Sequence, residues 1–221
     1  MSLASKLSPS TSGSVTPPRP LSPWERRLVI GADRLIYWLT QHWLLLFNTC
    51  LCLFLGLAFV APVLQAWGYR SLGGVIFRAY HRVCHQQASR SFFVLGQQVA
   101  FCQRDVGVYA GLVAGGLLYG LSGRRLRLTS GRLYLVLFVL PLAIDGLTQL
   151  LELRESNWLL RVVTGSWFGI GTVLIAYPLI AATMADTKRE LEERFGPGLS
   201  KLVALQSHGT REVQDGDLPL S

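Results

Sequence analysis

Long apolar runs with almost no charge are the feature that most constrains this chain. Four of them approach the length of about 20 residues that a helix needs to cross about 30 Å of hydrocarbon. They predict an all-α integral membrane protein with about four transmembrane helices. One acidic residue, Asp145, interrupts the third run. Pro141 and Pro178, in the third and fourth runs, each remove a helical hydrogen bond, so neighbouring groups must satisfy the backbone carbonyls that they leave unpaired. The runs are residues 43–66, 106–121, 133–151 and 165–184.

The composition of this basic chain indicates a membrane location. Only 15% of the residues are charged, whereas soluble domains carry about 25%. The formal charge of +8 comes almost entirely from arginines, and these flank the apolar runs. A positive charge so placed indicates a membrane surface, and we expect no nucleic-acid partner.

The segments around the runs define the predicted organisation. Residues 1–22 are rich in Ser, Thr and Pro and predict a disordered tail. Residues 23–42 have helical amphipathic spacing after Pro23, which predicts a helix lying in the membrane interface; a soluble helix packed on another domain is the alternative. The transmembrane domain is residues 43–187, and residues 188–221 form a polar cytoplasmic tail.

Residues 67–105 form a first extramembrane loop that is too long for a simple connection and too polar to span a bilayer. Helical spacing over residues 71–87 predicts that this motif loop is structured. Glycines spaced four apart in the second and fourth runs favour close helix packing. They are Gly107, Gly111, Gly115, Gly165 and Gly169.

Arginine and lysine counts predict the orientation. Basic residues are concentrated near the N terminus, in the second connection, which has four arginines over residues 124–132, and at the start of the C-terminal tail. We therefore expect a multi-pass protein of the cell (plasma) membrane with both termini cytoplasmic. Five arginines in the first loop count against this orientation.

An even number of spans brings the polar motifs of the first and third loops to the same face of the membrane, which we expect to be the outer one. Thiols, imidazoles and a carboxylate in the first loop are ligands suited to a zinc-like divalent metal. A Cys84–Cys102 disulfide, natural outside the cell, and two buried free thiols are the alternatives. The candidate metal ligands are His81, Cys84, His85, Cys102 and Asp105.

Asp145 and Glu155 are the candidate catalytic carboxylates. A carboxylate inside a span costs about 2.5–3.5 kcal/mol on insertion scales and usually serves a partner or a pathway. The alternative is a structural ion pair between Asp145 and a nearby arginine. Arginines with polar neighbours grip phosphate or carboxylate groups, although charge runs are usually solvated loops. The candidate ligand-binding residues are Arg104, Gln149, Arg154, Ser156, Asn157 and Arg161.

Five spaced motifs together resemble a family of bacterial and archaeal membrane proteins, domain-of-unknown-function family 2085. The resemblance implies the membrane fold and the motif map and carries no reaction. In this family a cysteine often follows Cys-x-Arg where this chain has Asp105, and such an exchange fits a metal ligand better than a disulfide partner. The motifs are CHQQASRS (84–91), CQRDVGVY (102–109), DGLTQ (145–149), RESNWLLR (154–161) and TG (164–165).

Three functions are compatible with these observations. The preferred one is an outer-face ligand or metal site, most concretely that of an enzyme acting on a membrane lipid or a lipid phosphate. The second is a small structural or assembly subunit of a larger membrane complex. The third is a transporter, which with so few spans requires a homo-oligomer. The sequence does not decide whether the protein is an enzyme.

Overall fold

The computed structural model describes residues 22–195, which form a helical bundle with one small hairpin. The predicted N-terminal tail up to residue 21 and the predicted C-terminal tail beyond residue 195 lie outside the described residues. The elements are α1 (Pro23–Ala66), α2 (Arg70–Tyr80), β1 (Ser91–Val94), β2 (Gln97–Cys102), α3 (Gln103–Leu121), α4 (Gly131–Leu150) and α5 (Trp158–Phe195).

Helix α1 is one continuous element of 44 residues. It begins with a capping box, in which the Ser22 side chain accepts from the Glu25 N–H and the Glu25 carboxylate accepts from the Ser22 N–H. At 1.5 Å per residue it is about 66 Å long, roughly twice the hydrocarbon thickness. The separate interfacial helix predicted over residues 23–42 is therefore not confirmed, since those residues continue into the first predicted span.

Three helices in the described part of the chain are long and apolar enough to cross a membrane: Pro23–Ala66, Gly131–Leu150 and Trp158–Glu193. Helix α3 is also 19 residues long. Its polar first turn and its glycines lower its hydropathy, and it falls outside this set. The coarser prediction of a mostly helical chain with candidate membrane spans is confirmed, with three such helices among the described residues in place of four.

Helix α1 runs antiparallel to α5. Near the start of α1, the Tyr37 hydroxyl donates to Glu192 close to the end of α5. Further along α1, the Trp43 ring meets the Tyr177 ring edge-on at 5.5 Å. Helix α4 also opposes α5, because Tyr134 in its first turn lies 3.0 Å from Thr172. The bundle therefore has two ends, and we call the one with the start of α5 the motif end.

Glycines bring α3 and α5 together side by side and parallel. A Cβ added at Gly111 would lie 2.2 Å from the Ser166 carbonyl oxygen. A Cβ added at Gly165 would lie 2.5 Å from the Arg104 carbonyl oxygen. The two backbones are thus in direct contact, which confirms the packing role predicted from the four-residue glycine spacing.

The two prolines named from the sequence each leave a carbonyl without its helical N–H donor, and each carbonyl finds another donor. Pro141 frees the Leu137 carbonyl, which accepts from the Trp167 indole N–H at 2.8 Å. Pro178 frees the Leu174 carbonyl, which accepts from the Leu128 N–H at 2.8 Å. Neighbouring segments satisfy the broken backbone, as the sequence predicted.

The motif loop is folded onto the second half of α1. Helix α2 comes so close that a Cβ at Gly73 would lie 2.7 Å from the Ala61 carbonyl oxygen. Strands β1 and β2 then form an antiparallel hairpin whose turn residues, Leu95 and Gly96, both have positive φ. Phe101 of β2 is completely buried in this core. The helix predicted over residues 71–87 stops at Tyr80, because the chain turns there toward the hairpin.

Candidate functional site

Two cysteines meet at the motif end, where α2, β2 and α3 converge. Cys84 follows α2 and is buried, while Cys102 ends β2 and precedes α3. The Cys102 N–H donates to the Cys84 sulfur at 3.2 Å, and the Cys102 thiol donates to the Asp105 carboxylate at 3.3 Å. The two sulfurs and a carboxylate oxygen of Asp105 lie within 4.8 Å of one another. We call these three residues the thiol cluster.

A hydrogen bond between the side chains of Cys84 and Cys102, separate from the backbone bond described above, makes the two thiols unequal. This bond lowers the pKa of Cys102, against the opposing effects of burial and of the Asp105 charge. The same bond, together with burial, raises the pKa of Cys84 well above its usual range. Cys102 is therefore the thiol that ionises first, and Cys84 keeps its proton.

The thiol cluster offers three ligands, which is the number a zinc site uses when one position stays open. Both cysteines are free thiols in the structure. The predicted ligands His81 and His85 are exposed and outside the cluster, because α2 ends before them and the expected shared helical face does not form. The structure thus gathers three of the five predicted metal ligands.

Gln86, from the same motif as Cys84, connects α2 to the hairpin next to the thiols. Its side-chain amide donates to the Phe77 carbonyl at 2.7 Å and to the Ala100 carbonyl at 2.9 Å. Its own carbonyl accepts from Gln98 at 2.6 Å. Gln86 was not predicted to be a site residue, although its place two residues after Cys84 was a usable signal.

Asp145 lies between two arginines. It is 2% exposed, and its two oxygens accept from Arg104 at 2.6 Å and from Arg154 at 3.0 Å. Gln149, one turn further along α4, accepts from Arg104 at 3.3 Å. This is the ion-pair arrangement that the sequence left as an alternative to a free catalytic carboxylate. It ties α3, α4 and the connection to α5 together.

Arg161 is the most deeply placed arginine of the site, at 8% exposed. Its Nη1 donates to the Gln103 side-chain oxygen at 2.9 Å. Its Nε has no hydrogen-bond partner within the described part of the chain. Arg90 and Arg104 are near enough to repel it electrostatically, and Asp145 and Cys102 are near enough to attract it. Gln103 was missed in the sequence, where it stands beside Cys102 as an ordinary polar residue.

A cleft of about 710 Å³ joins the thiols to the arginines. Asp145 and Arg154 do not line it. The charged and sulfur-bearing residues that line the cleft are Cys84, Arg90, Cys102, Arg104, Asp105, Glu152 and Arg161, and His85 and Gln149 line it as well.

The remaining predicted residues lie outside this cleft. Glu155 is exposed and does not line it. The Asn157 side chain accepts from the Leu160 N–H at 2.7 Å, which is the contact of a helix cap at the start of α5. Ser156 is buried near Asp145. Asn157 and Ser156 therefore support the motif end, and none of the three residues lines the cleft.

Comparison with known proteins places this arrangement in a family. Residues 84–175 match the family described as predicted membrane protein, DUF2085. An uncharacterized protein of Methanocaldococcus jannaschii is 32% identical over 123 residues, which cover 55% of this chain and 78% of the relative. An uncharacterized protein of Methanothermobacter thermautotrophicus is 35% identical over 96 residues, covering 43% and 86%. No solved structure matches the chain significantly.

Proposed function

The chain belongs to the membrane-protein family DUF2085, and from that premise we propose that its cleft binds the phosphate group of a membrane lipid. In the most concrete form, the protein is an enzyme that acts on this lipid phosphate. The thiol cluster and three arginines would both act on the bound phosphate group, from two sides of one cleft.

The observation that carries the proposal is the buried Arg161 guanidinium, whose Nε–H has no hydrogen-bond partner among the described residues and which has two further arginines nearby. Asp145 pairs directly with Arg104 and Arg154 and attracts Arg161 only from a longer distance. Neither Arg161 nor Arg90 has a carboxylate within 4.0 Å in the region that the structure describes. A buried guanidinium with a free N–H beside a cleft suits an anion with several acceptor oxygens, and phosphate is the anion that a membrane supplies.

The two sides of the cleft have complementary chemistry. Arg90, Arg104 and Arg161 would hold the phosphate and offset charge that develops on its oxygens. The thiol cluster would hold a zinc-like divalent ion, because it provides two sulfurs and one carboxylate and leaves a position open. Such an ion, when bound, supplies Lewis-acid activation of a water or of a phosphoryl oxygen.

The proposed topology puts this cleft at the outer face of the plasma membrane. Helix α3 would be a fourth span, since it follows α5 in parallel through glycine contacts, and 19 residues cover about 28 Å. The arginine-rich connection between α3 and α4 lies at the opposite end of the bundle. The positive-inside rule then favours a cytoplasmic position for that end and for both termini.

Lipid binding by the purified full chain tests the proposal. We expect dioleoyl phosphatidic acid to bind in detergent solution, and diacylglycerol, which lacks the phosphate, to bind much more weakly. Arg90→Gln removes one cleft charge and should weaken phosphatidic acid binding about tenfold, the range of one charge-assisted hydrogen bond. Arg82→Gln removes an exposed arginine of the same loop and should change nothing. Equal effects of the two variants would overturn the proposed site.

Elemental analysis tests the thiol cluster separately. We expect about one zinc-like ion per chain in the native protein and almost none in Cys102→Ser. Cys52→Ser is the matched control, because Cys52 is an exposed residue of α1. Metal-free protein with a Cys84–Cys102 disulfide would reject the metal and favour the disulfide alternative, while lipid binding by the arginines would stand or fall on its own assay.

A second candidate function, a small structural or assembly subunit, is favoured by the ion pairs of Asp145. These contacts join three segments of the chain and are a stabilising arrangement without any ligand. Such a subunit should copurify with a stable partner from its own membrane and should bind phosphatidic acid no better than diacylglycerol.

A further inference from the structure

The end of the bundle opposite the thiol cluster carries a second pair of cavities. One is a polar cleft of about 370 Å³ between α1, the end of α3 and α5, with two cationic side chains, Arg124 and Lys188, in its wall. The other is an apolar groove of about 340 Å³ between α1 and α3. The two cavities are neighbours, since Gln41 and Arg124 line both.

Donors in the polar cleft are available for an anion. The Arg124 guanidinium lies 5.9 Å from the centre of the Trp43 ring and has no carboxylate within 4.0 Å in residues 22–195. Lys188 is held by weak, partly exposed contacts: its Nζ lies 3.8 Å from the Glu192 carboxylate and 5.8 Å from the centre of the Tyr37 ring. Trp43 is 2% exposed, and its indole N–H has no partner among the described residues. A buried N–H beside two cations indicates a missing acceptor.

The groove beside this cleft is mainly apolar. Leu44, Leu45 and Leu117 line it, and Gly120 leaves space on the α3 side, while the Asn48 side chain fills the space next to Gly116. A cationic cleft at the end of an apolar groove between two helices has the shape of one lipid class. Basic pockets between membrane helices bind the headgroups of anionic phospholipids.

We propose that an anionic phospholipid binds here, with its phosphate between Arg124 and Lys188 and one acyl chain in the α1–α3 groove. The Trp43 indole N–H donates to a phosphate oxygen. The site is separate from the thiol and arginine cleft, and it stands whether or not that cleft acts on lipids.

Native mass spectrometry of the delipidated full chain tests the site. Phosphatidylglycerol should bind at least tenfold more tightly than phosphatidylcholine with the same acyl chains. Arg124→Gln and Lys188→Gln should each weaken phosphatidylglycerol binding about fivefold, the usual contribution of one basic residue near a membrane surface. Arg125→Gln is the matched control, because Arg125 is the neighbouring arginine and lines neither cavity, and it should leave the affinity unchanged.

A groove variant distinguishes a whole lipid from free phosphate. A Cβ at Gly120 meets only the tip of Leu44, at 3.4 Å, so Gly120→Leu can fold while it fills the groove. It should weaken phosphatidylglycerol binding by tenfold or more and leave competition by inorganic phosphate unchanged. Thermal unfolding checks that the variant is folded. Unchanged lipid affinity in Gly120→Leu, equal binding of phosphatidylcholine, or equal effects of Arg124→Gln and Arg125→Gln would overturn the proposal.

Discussion

Helix α5 contacts two of its partners, α3 and α4, in opposite ways. Against α3 it packs backbone to backbone, because glycines on both helices leave no side chain between them. Against α4 it relies on separate side-chain anchors, namely the Tyr134–Thr172 contact and the Trp167 bond to the Leu137 carbonyl. The first contact depends on the absence of atoms, so any added carbon harms it. The second depends on particular groups, which can be removed one at a time.

Breaking the α3–α5 contact should have the largest effect. Gly111→Leu would place atoms 2.2 Å from the Ser166 carbonyl oxygen, where only backbone could move aside. We expect a loss of unfolding free energy of at least about 3 kcal/mol, at or above the upper end of overpacking costs. Urea or thermal unfolding in detergent measures it. Gly56→Leu, at a helical position with nothing within 4 Å, should be close to neutral.

Removing the charge of Asp145 should have the next largest effect, since it detaches the motif end of α4. Asp145→Asn leaves two arginines facing a neutral amide. Losing one partner of a buried pair costs about 3–5 kcal/mol, and the partial exposure of Arg104 and Arg154 reduces our expectation to about 2 kcal/mol. Asp186→Asn, which removes the exposed contact to Arg189, should change the unfolding free energy by less than about 0.5 kcal/mol. Equal losses in both variants would contradict a structural role for Asp145.

A smaller effect is expected at the proline anchor between α4 and α5. Trp167→Phe keeps an aromatic ring but removes the indole N–H that donates to the Leu137 carbonyl, at a cost of about 1 kcal/mol. Pro141→Ala restores a backbone N–H for the same carbonyl. The double variant should therefore lose less stability than the sum of the two single variants, as measured by a double-mutant cycle. Simple additivity would mean that Trp167 does not replace the missing donor.

Substitutions in the thiol pair should have the smallest effect on stability, because the two cysteines take part in neither the α3–α5 contact nor the α4–α5 contact. The quantity to measure is therefore the reactivity of Cys102. The hydrogen bond with Cys84 lowers the pKa of Cys102, so thiolate forms at lower pH and alkylation begins there. Cys84→Ala removes this bond, and the midpoint of the alkylation profile should move to higher pH. The experiment is done with Cys50 and Cys52 replaced by Ser. A midpoint that stays or falls would contradict the assigned hydrogen bond.

The parts of the fold that could be predicted are those in which local sequence decides the outcome. Apolar length predicted the three candidate spans, and glycine spacing predicted the contact of α3 with α5. The break between residues 42 and 43 was predicted from a change in polarity, yet no Gly or Pro interrupts α1 there, and the helix continues. The hairpin was missed because Val99, Ala100 and Phe101 are all buried, so β2 lacks the alternation of a strand with one wet face.

For the site, the sequence predicted which residues lie at the same end of the bundle, but not the contacts of their side chains. Helix directions bring Arg104, Asp145 and Arg154 together at the end that holds the two thiols. The sequence predicted this meeting from four spans, whereas three helices of the described residues are candidate spans. The contributions of Gln86 and Gln103 depend on side-chain geometry, which single-sequence patterns do not contain. The same is true of His81, whose expected helical position disappears when α2 ends at Tyr80.

The bond from the Leu128 N–H to the Leu174 carbonyl has a practical consequence for mapping which side of the membrane each end faces. Epitope tags are commonly inserted into connections such as residues 122–130, on the assumption that these are passive. An insertion next to Leu128 would instead remove the donor of the Leu174 carbonyl, which Pro178 leaves without a helical partner, and would report on a damaged protein. A tag placed after Arg125 lies upstream of this bond, so it would leave the bond in place and report the native orientation.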